Sequence, residues 1–214
     1  MKIRREATMK KLSQKDYVIS EWSGGKTTQI AIYPAQANYA DRDFLWRVSS
    51  ATVELQESDF TSLPDYDRLI ATLRGEILLT HNGGAPIPLG PFEVHAFSGA
   101  DATHSTGCCT DFNLMLRRGM ATGSMETLRL TSDICAFPTP CVGASVLLYC
   151  AEGVCVAQAH GENAQEAAPL SHRLAPGETL LLSVSDLLTL TGPAVLMVCR
   201  IKLVEEVQPA FGGR

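Results

Sequence analysis

No apolar run in the 214-residue sequence approaches the roughly 18 residues that a membrane-spanning helix needs, and no Asn-x-Ser/Thr sequon occurs. A membrane partner is therefore not expected. An excess of basic charge is also missing: 18 Lys+Arg stand against 23 Asp+Glu, for a net charge of −5 and a pI near 5.5. That balance argues against nucleic acid or an anionic membrane surface as the main partner. Long helical periodicity is hard to find, which removes helical bundles from consideration. What the chain does have is 45% hydrophobic residues, 19% charged residues and a mean hydropathy of +0.05, the composition of a folded domain rather than a disordered one.

The charge is unevenly spread. Between Met1 and Lys15, Lys2, Arg4, Arg5, Lys10, Lys11 and Lys15 face Glu6 alone. A solvated, frayed terminus is the expected role of this stretch. No apolar segment of signal-peptide type follows it, so a cytoplasmic location is expected. The seven cysteines form an odd count in a chain too long to need stapling, and reduced, mostly buried thiols are expected.

Short β-type runs bounded by Gly, Pro, Asn and Asp recur from end to end, which predicts an all-β fold. The clearest are Thr28–Tyr33, Phe44–Leu55, Arg68–Thr80, Phe92–Phe97, Asp111–Arg118, Ser145–Ala157, Glu178–Val184 and Ala194–Val204. Leu181–Leu190 is broken by Ser183, Ser185, Asp186 and Thr189 into strand, turn and strand. A weak internal repeat organises these runs. Leu73-Arg-Gly75-Glu-Ile leads through a polar turn at Asn82 to Leu89-Gly90-Pro91, and Cys150-Ala-Glu-Gly153-Val leads through a polar loop at Gly161 to Pro176-Gly177-Glu178. Two similar β-barrels in tandem account for this, residues 1–120 and 121–214, joined near Gly119–Ser124.

The Pro-Gly-Glu corner after a glycine-centred hairpin resembles the cupin superfamily, whose small barrels often occur as fused pairs. The first half is similar to something narrower. Trp22, Gly24-Gly25, Thr27-Thr28-Gln29, Phe44-x-Trp46-Arg47-x-Ser49-Ser50-Ala51, Asp59-Phe60-Thr61-x-Leu63-Pro64, Asp67-Arg68, Leu73-x-Gly75, Phe97-x-Gly99 and Asp111-Phe112-Asn113-x-Met115-x-Arg117-Arg118-Gly119 resemble the HutD/Ves family of bicupins. The resemblance implies a bicupin with no known enzymatic reaction. One branch is associated with histidine utilisation, where sensing of a small anionic intermediate such as N-formylglutamate has been proposed; the other carries an environmental-stress label.

On an extended Phe44–Leu55, Arg47 shares a face with Leu45, Ser49, Ala51, Val53 and Leu55, the better candidate for a barrel interior. A guanidinium there needs an anion, either a ligand or Asp67. Arg68 opens the next strand and falls in a distinctive family motif, so it is the first choice for anion binding, with Trp22, Thr28, Gln29 and Ser49 as wall and uncharged hydrogen-bonding groups. The function that these residues and the resemblance together imply is metal-free, non-enzymatic binding of a small anionic metabolite, N-formylglutamate or a related acyl-amino acid, without a cofactor. A homodimer is compatible with exposed cupin sheets.

The alternative is a metal-dependent cupin enzyme, an isomerase or small oxygenase, using His81 and His95. Cupin metal sites converge three or four N/O ligands, whereas here the His-x-His partner position is Gly83 and no Glu follows in the next turn. His81 and His95 are therefore expected on loops at the surface, and Asp111 and Asn113 in an Asx turn. Gly25-Lys26-Thr27-Thr28 lacks the first glycine of a phosphate loop, since Ser20 stands there. Cys108-Cys109 near His104 has no orienting third group, and Cys150-x4-Cys155-x4-His160 reads as strand rather than a zinc knuckle.

Overall fold

The computed structural model describes residues 9–138, 144–160, 170–182 and 187–204. The turn expected around Ser183–Asp186, the polar loop at Gly161 and Cys141 lie outside these residues. The strands in chain order are β1 (Met9–Leu12), β2 (Val18–Trp22), β3 (Gly25–Tyr33), β4 (Trp46–Val53), β5 (Glu57–Asp59), β6 (Tyr66–Arg74), β7 (Ile77–His81) and β8 (Ile87–Leu89). Then come β9 (Val94–Ser98), β10 (Thr103–Thr106), β11 (Cys109–Arg117), β12 (Ala121–Leu130), β13 (Cys135–Phe137) and β14 (Ala144–Gly153). The last are β15 (Cys155–His160), β16 (Leu170–Leu174), β17 (Thr179–Leu182), β18 (Leu187–Thr191) and β19 (Ala194–Leu203). Only a single 3₁₀ turn at Gln14–Asp16 interrupts them among the described residues.

Two barrels result, each a pair of antiparallel sheets. The first joins a six-stranded sheet, β2-β3-β4-β11-β6-β9, to a four-stranded one, β5-β10-β7-β8; the second joins β1-β17-β14-β19-β12 to β13-β18-β15-β16. The repeat seen in the sequence is the same hairpin twice. Gly75 (φ +77°) turns β6 into β7, and Gly153 (φ +70°) turns β14 into β15, each moving the chain from one sheet to the other. A Cβ at Gly75 would run into the Cys108 carbonyl and one at Gly153 into that of Pro193, so both corners require glycine.

The beginning of the chain departs from expectation. Met9–Leu12 is not frayed: it pairs with β17 of the second barrel, and Lys11 Nζ lies 2.8 Å from Glu178 Oε2.

Three apolar layers separate the four sheets. Leu148, Leu180, Leu188, Leu196 and Val198 fill the second barrel. Phe112, Leu114, Trp46 and Val48 of the first barrel meet Leu147, Met197, Cys199 and Ile201 of the second, with the Phe112 and Tyr149 rings 5.0 Å apart. The third layer, inside the first barrel, is divided into two small clusters, Val53, Ile70, Ile77, Leu79, Leu89 and Cys109 in one and Phe44, Leu63, Tyr66 and Met115 in the other. Strand alternation explains the contrast, because β4 and β11 spend their large apolar side chains on the inter-barrel face and turn polar ones inward. Of the buried polar side chains among the described residues, all but Thr179 belong to the first barrel.

Candidate functional site

A cavity of about 390 Å³ opens in the first barrel, within the range of small-molecule sites. Its floor is β11, flanked by β4 and β6. Met115 sits in register with Arg47 on one side and Arg68 on the other, so two guanidiniums project from neighbouring strands into one space. Phe112, Leu114 and Leu116 point the other way, into the inter-barrel core.

Arg47 is 5% exposed and held in place. Its Nε donates to Gln29 Oε1 at 2.8 Å, its Nη1 to Ser49 Oγ at 2.9 Å, and its guanidinium carbon lies 4.3 Å from the Tyr39 ring centre. Burial lowers its pKa from the ordinary arginine value. Arg68, 6% exposed, is less well satisfied. It lies 5.0 Å from both the Phe60 and Phe97 rings, and Nη1 reaches the Thr61 carbonyl only at 3.5 Å. Its Nε is buried with no partner. Burial drives its pKa down to about 10, which leaves it cationic at neutral pH.

Asp111 supplies the opposing charge. It lies within β11, not in an Asx turn, and its Oδ1 accepts the Ala51 N–H at 3.0 Å. Burial pushes its carboxyl up to about 6, against the pull of that hydrogen bond and of Arg68 and Arg47. Asn113, two residues on and also in the strand, is 4% exposed, and its Oδ1 has no partner.

The residues named from sequence divide cleanly. Arg47, Arg68, Ser49 and Trp22 line the cavity, and Gln29 acts through Arg47. Thr28 does not: it faces away, into a smaller cleft with Tyr17, Lys26, Ser50 and Tyr149. Asp67 is not the arginines' counter-ion, because strand alternation turns it out to the surface, where Arg118 Nε holds it at 2.8 Å. Asp111, Asn113, Tyr39 and Phe60 were missed as site residues. The period-two pattern of Asp111, Asn113 and Met115 opposite Phe112, Leu114 and Leu116 was the available signal; which face lay inside depended on pairing with β4 and β6.

His81 and His95 are not surface loop residues either. They sit at the end of β7 and within β9, half-buried, with Nε2 atoms 2.9 Å apart and ring centres at 5.1 Å. Thr103 Oγ1 donates to the Asp101 carbonyl, so it accepts from His81 Nδ1 at 2.9 Å; His81 Nε2 is then the acceptor and His95 Nε2–H the donor. Burial, and then the neighbouring His81, lower the pKa of His95. Among the described residues no third His, Cys, Asp or Glu joins them, so this pair does not fit the three-ligand set of a cupin metal centre.

Two stacked jelly-roll barrels with a polar, cationic cavity in one of them define the chain as a bicupin. The HutD family model matches residues 14–198, and the chain belongs to that family. Among solved structures it is similar to a conserved protein of unknown function from Pseudomonas aeruginosa PAO1, at 25% identity over 92% of this chain and 98% of that one, with a TM-score of 0.73. HutD from Pseudomonas fluorescens SBW25, solved in a formate condition, is 21% identical over 92% of this chain and 100% of that one, with a TM-score of 0.71. An oxalate decarboxylase from Bacillus subtilis with Mn(II) centres shares the fold at 6% identity, over 92% of this chain and 78% of that one, with a TM-score of 0.61. No curated protein matches the chain by sequence.

Proposed function

We propose that the first barrel binds a small anionic metabolite, N-formylglutamate or a related acyl-amino acid, between Arg47 and Arg68, and that it does so without metal and without turnover. The observation that carries this reading is Arg68: a cation 6% exposed, with a buried Nε that meets no acceptor. A buried, unpaired donor on a charged group is costly, and a carboxylate is the group that its planar fork accepts best. Asp111 offsets only part of the charge of two arginines. Membership of the HutD family suggests a role related to histidine utilisation, which is consistent with an acyl-amino acid ligand. The formate condition of the Pseudomonas fluorescens relative supplies the simplest carboxylate, and formate is accordingly one of the probes.

The test is a thermal-shift titration of EDTA-treated protein with N-formylglutamate, glutamate and formate, beside an Arg68→Ala variant. Ligand at about 100 times Kd adds roughly 2.7 kcal/mol, or about 5–11 °C for a chain of this size. A selective, saturable rise with N-formylglutamate that is lost in the variant is expected. No rise with any of the three removes the proposal.

A further inference from the structure

The cavity floor is graded along one strand. Inward-facing residues of β11 recur about 6.8 Å apart, at about 3.4 Å per residue. At Met115 the flanking residues are Arg47 and Arg68; at Asn113 they are Ser49 and Ile70; at Asp111 they are Ala51 and Thr72. The floor thus runs from two cations, through a neutral amide, to a carboxylate.

Among the described residues three unsatisfied side-chain atoms lie on this wall: a donor, an acceptor, and the hydroxyl of Thr72, which can act as either. Arg68 Nε is a buried donor without an acceptor, and Asn113 Oδ1 is a buried acceptor without a donor. Nearly all buried polar atoms in native proteins are paired, so both call for a partner. A carboxylate answers the arginine alone. Set against Asn113 Oδ1 and the Asp111 carboxylate, a further ligand oxygen would bring lone pair against lone pair. Asp111 Oδ1 is taken by the Ala51 N–H, and no hydrogen bond to its other oxygen is present among the described residues. The open acceptors on this half of the floor, Asn113 Oδ1 and the second Asp111 oxygen, therefore call for a donor from the ligand.

We infer that the ligand carries an N–H donor next to its carboxylate, with the carboxylate held by Arg68 and Arg47 and the N–H read by Asn113, seconded by Asp111. This makes Asn113 and Asp111 the residues that separate nitrogen-bearing acids from simple mono- and dicarboxylates. The inference rests on the reading of the cavity as an anion site. The N–H of an amide and that of an ammonium share this chemistry; an acyl-amino acid supplies the first and a free amino acid the second.

Calorimetric titration of the full chain tests it, using N-formylglutamate, glutamate and 2-(formyloxy)glutarate, the last differing from the first only in an oxygen that replaces the N–H. The N–H ligand is expected to bind at least tenfold more tightly than the oxygen analogue, since a site built to hydrogen-bond a group discriminates against the analogue lacking it. The order of glutamate and N-formylglutamate then tells ammonium from amide. In Asn113→Leu and Asp111→Asn variants, checked for folding by circular dichroism, the preference should shrink at least fivefold in one or both; should the leucine variant fail to fold, the wild-type ratio and the asparagine variant decide. A wild-type ratio under tenfold, or a preference undiminished in both variants, overturns the inference while leaving the anion site standing. Binding of none of the three ligands removes the anion site itself.

Discussion

Replacing Asp111 by asparagine is expected to stabilise the protein at neutral pH. The side chain is 9% exposed, and burial lifts its pKa from 3.8 to about 6 despite the Ala51 N–H and the two arginines. Ionising it in the fold therefore costs on the order of 3 kcal/mol more than ionising it in the unfolded chain. Between pH 4 and 6 the unfolded chain releases this proton while the fold retains it, so the wild type loses stability as pH rises through that window and levels off above it. Asparagine keeps an oxygen for the Ala51 N–H but cannot ionise. The gap between variant and wild type should thus be about 0.5 kcal/mol at pH 4, grow to about 3 kcal/mol by pH 7, and stay constant beyond. In melting temperature this is about 6–12 °C for a chain of this length. Thermal unfolding at half-unit steps from pH 4 to 8 measures it. A variant less stable than wild type at pH 7, or a gap that does not change with pH, refutes the assignment of Asp111 as a buried ion held at a cost for the cavity's sake.

Two further outcomes follow from the packing and from the histidine pair. Phe112 is fully buried between the barrels, so Phe112→Ala should cost about 3–5 kcal/mol in urea unfolding, and a loss below about 1 kcal/mol would mean that the inter-barrel layer is not a shared core. His95, held neutral by burial and by His81, should titrate below 6.5 in NMR and move back toward that value in His81→Ala. Because its folded pKa is depressed, the stability it contributes is present above 6.5 and is lost as pH falls below it; a midpoint at or above 6.5 contradicts the pairing.

Much of the fold was legible because strand structure writes itself into local periodicity. The alternation of Phe112, Leu114 and Leu116 against Asn113 and Met115, and of Trp46 and Val48 against Arg47 and Ser49, is a consequence of backbone geometry alone. The doubled glycine corner at Gly75 and Gly153 was readable for the same reason, since a left-handed corner without room for a Cβ admits little else. Arg47 stood out because charge on an otherwise apolar strand face is costly, and Arg68 because it falls in a motif of the family that the sequence resembles.

Partnership was not legible. Asp67 adjoins Arg68 in sequence, yet the two side chains leave the strand on opposite faces, and the counter-charge comes instead from Asp111, which β11 delivers between β4 and β6. His81 and His95 likewise meet only because β7 and β9, members of different sheets, close the same barrel. Met9–Leu12 found its place on β17, about 170 residues away along the chain, through main-chain hydrogen bonds that carry no side-chain signature. What the amino-acid order settled by itself was which residues alternate, where the chain turns and which charges must be buried, all properties of a few neighbouring residues. Which charge meets which was decided by strand pairing over long separations, and only the folded barrel sets that geometry.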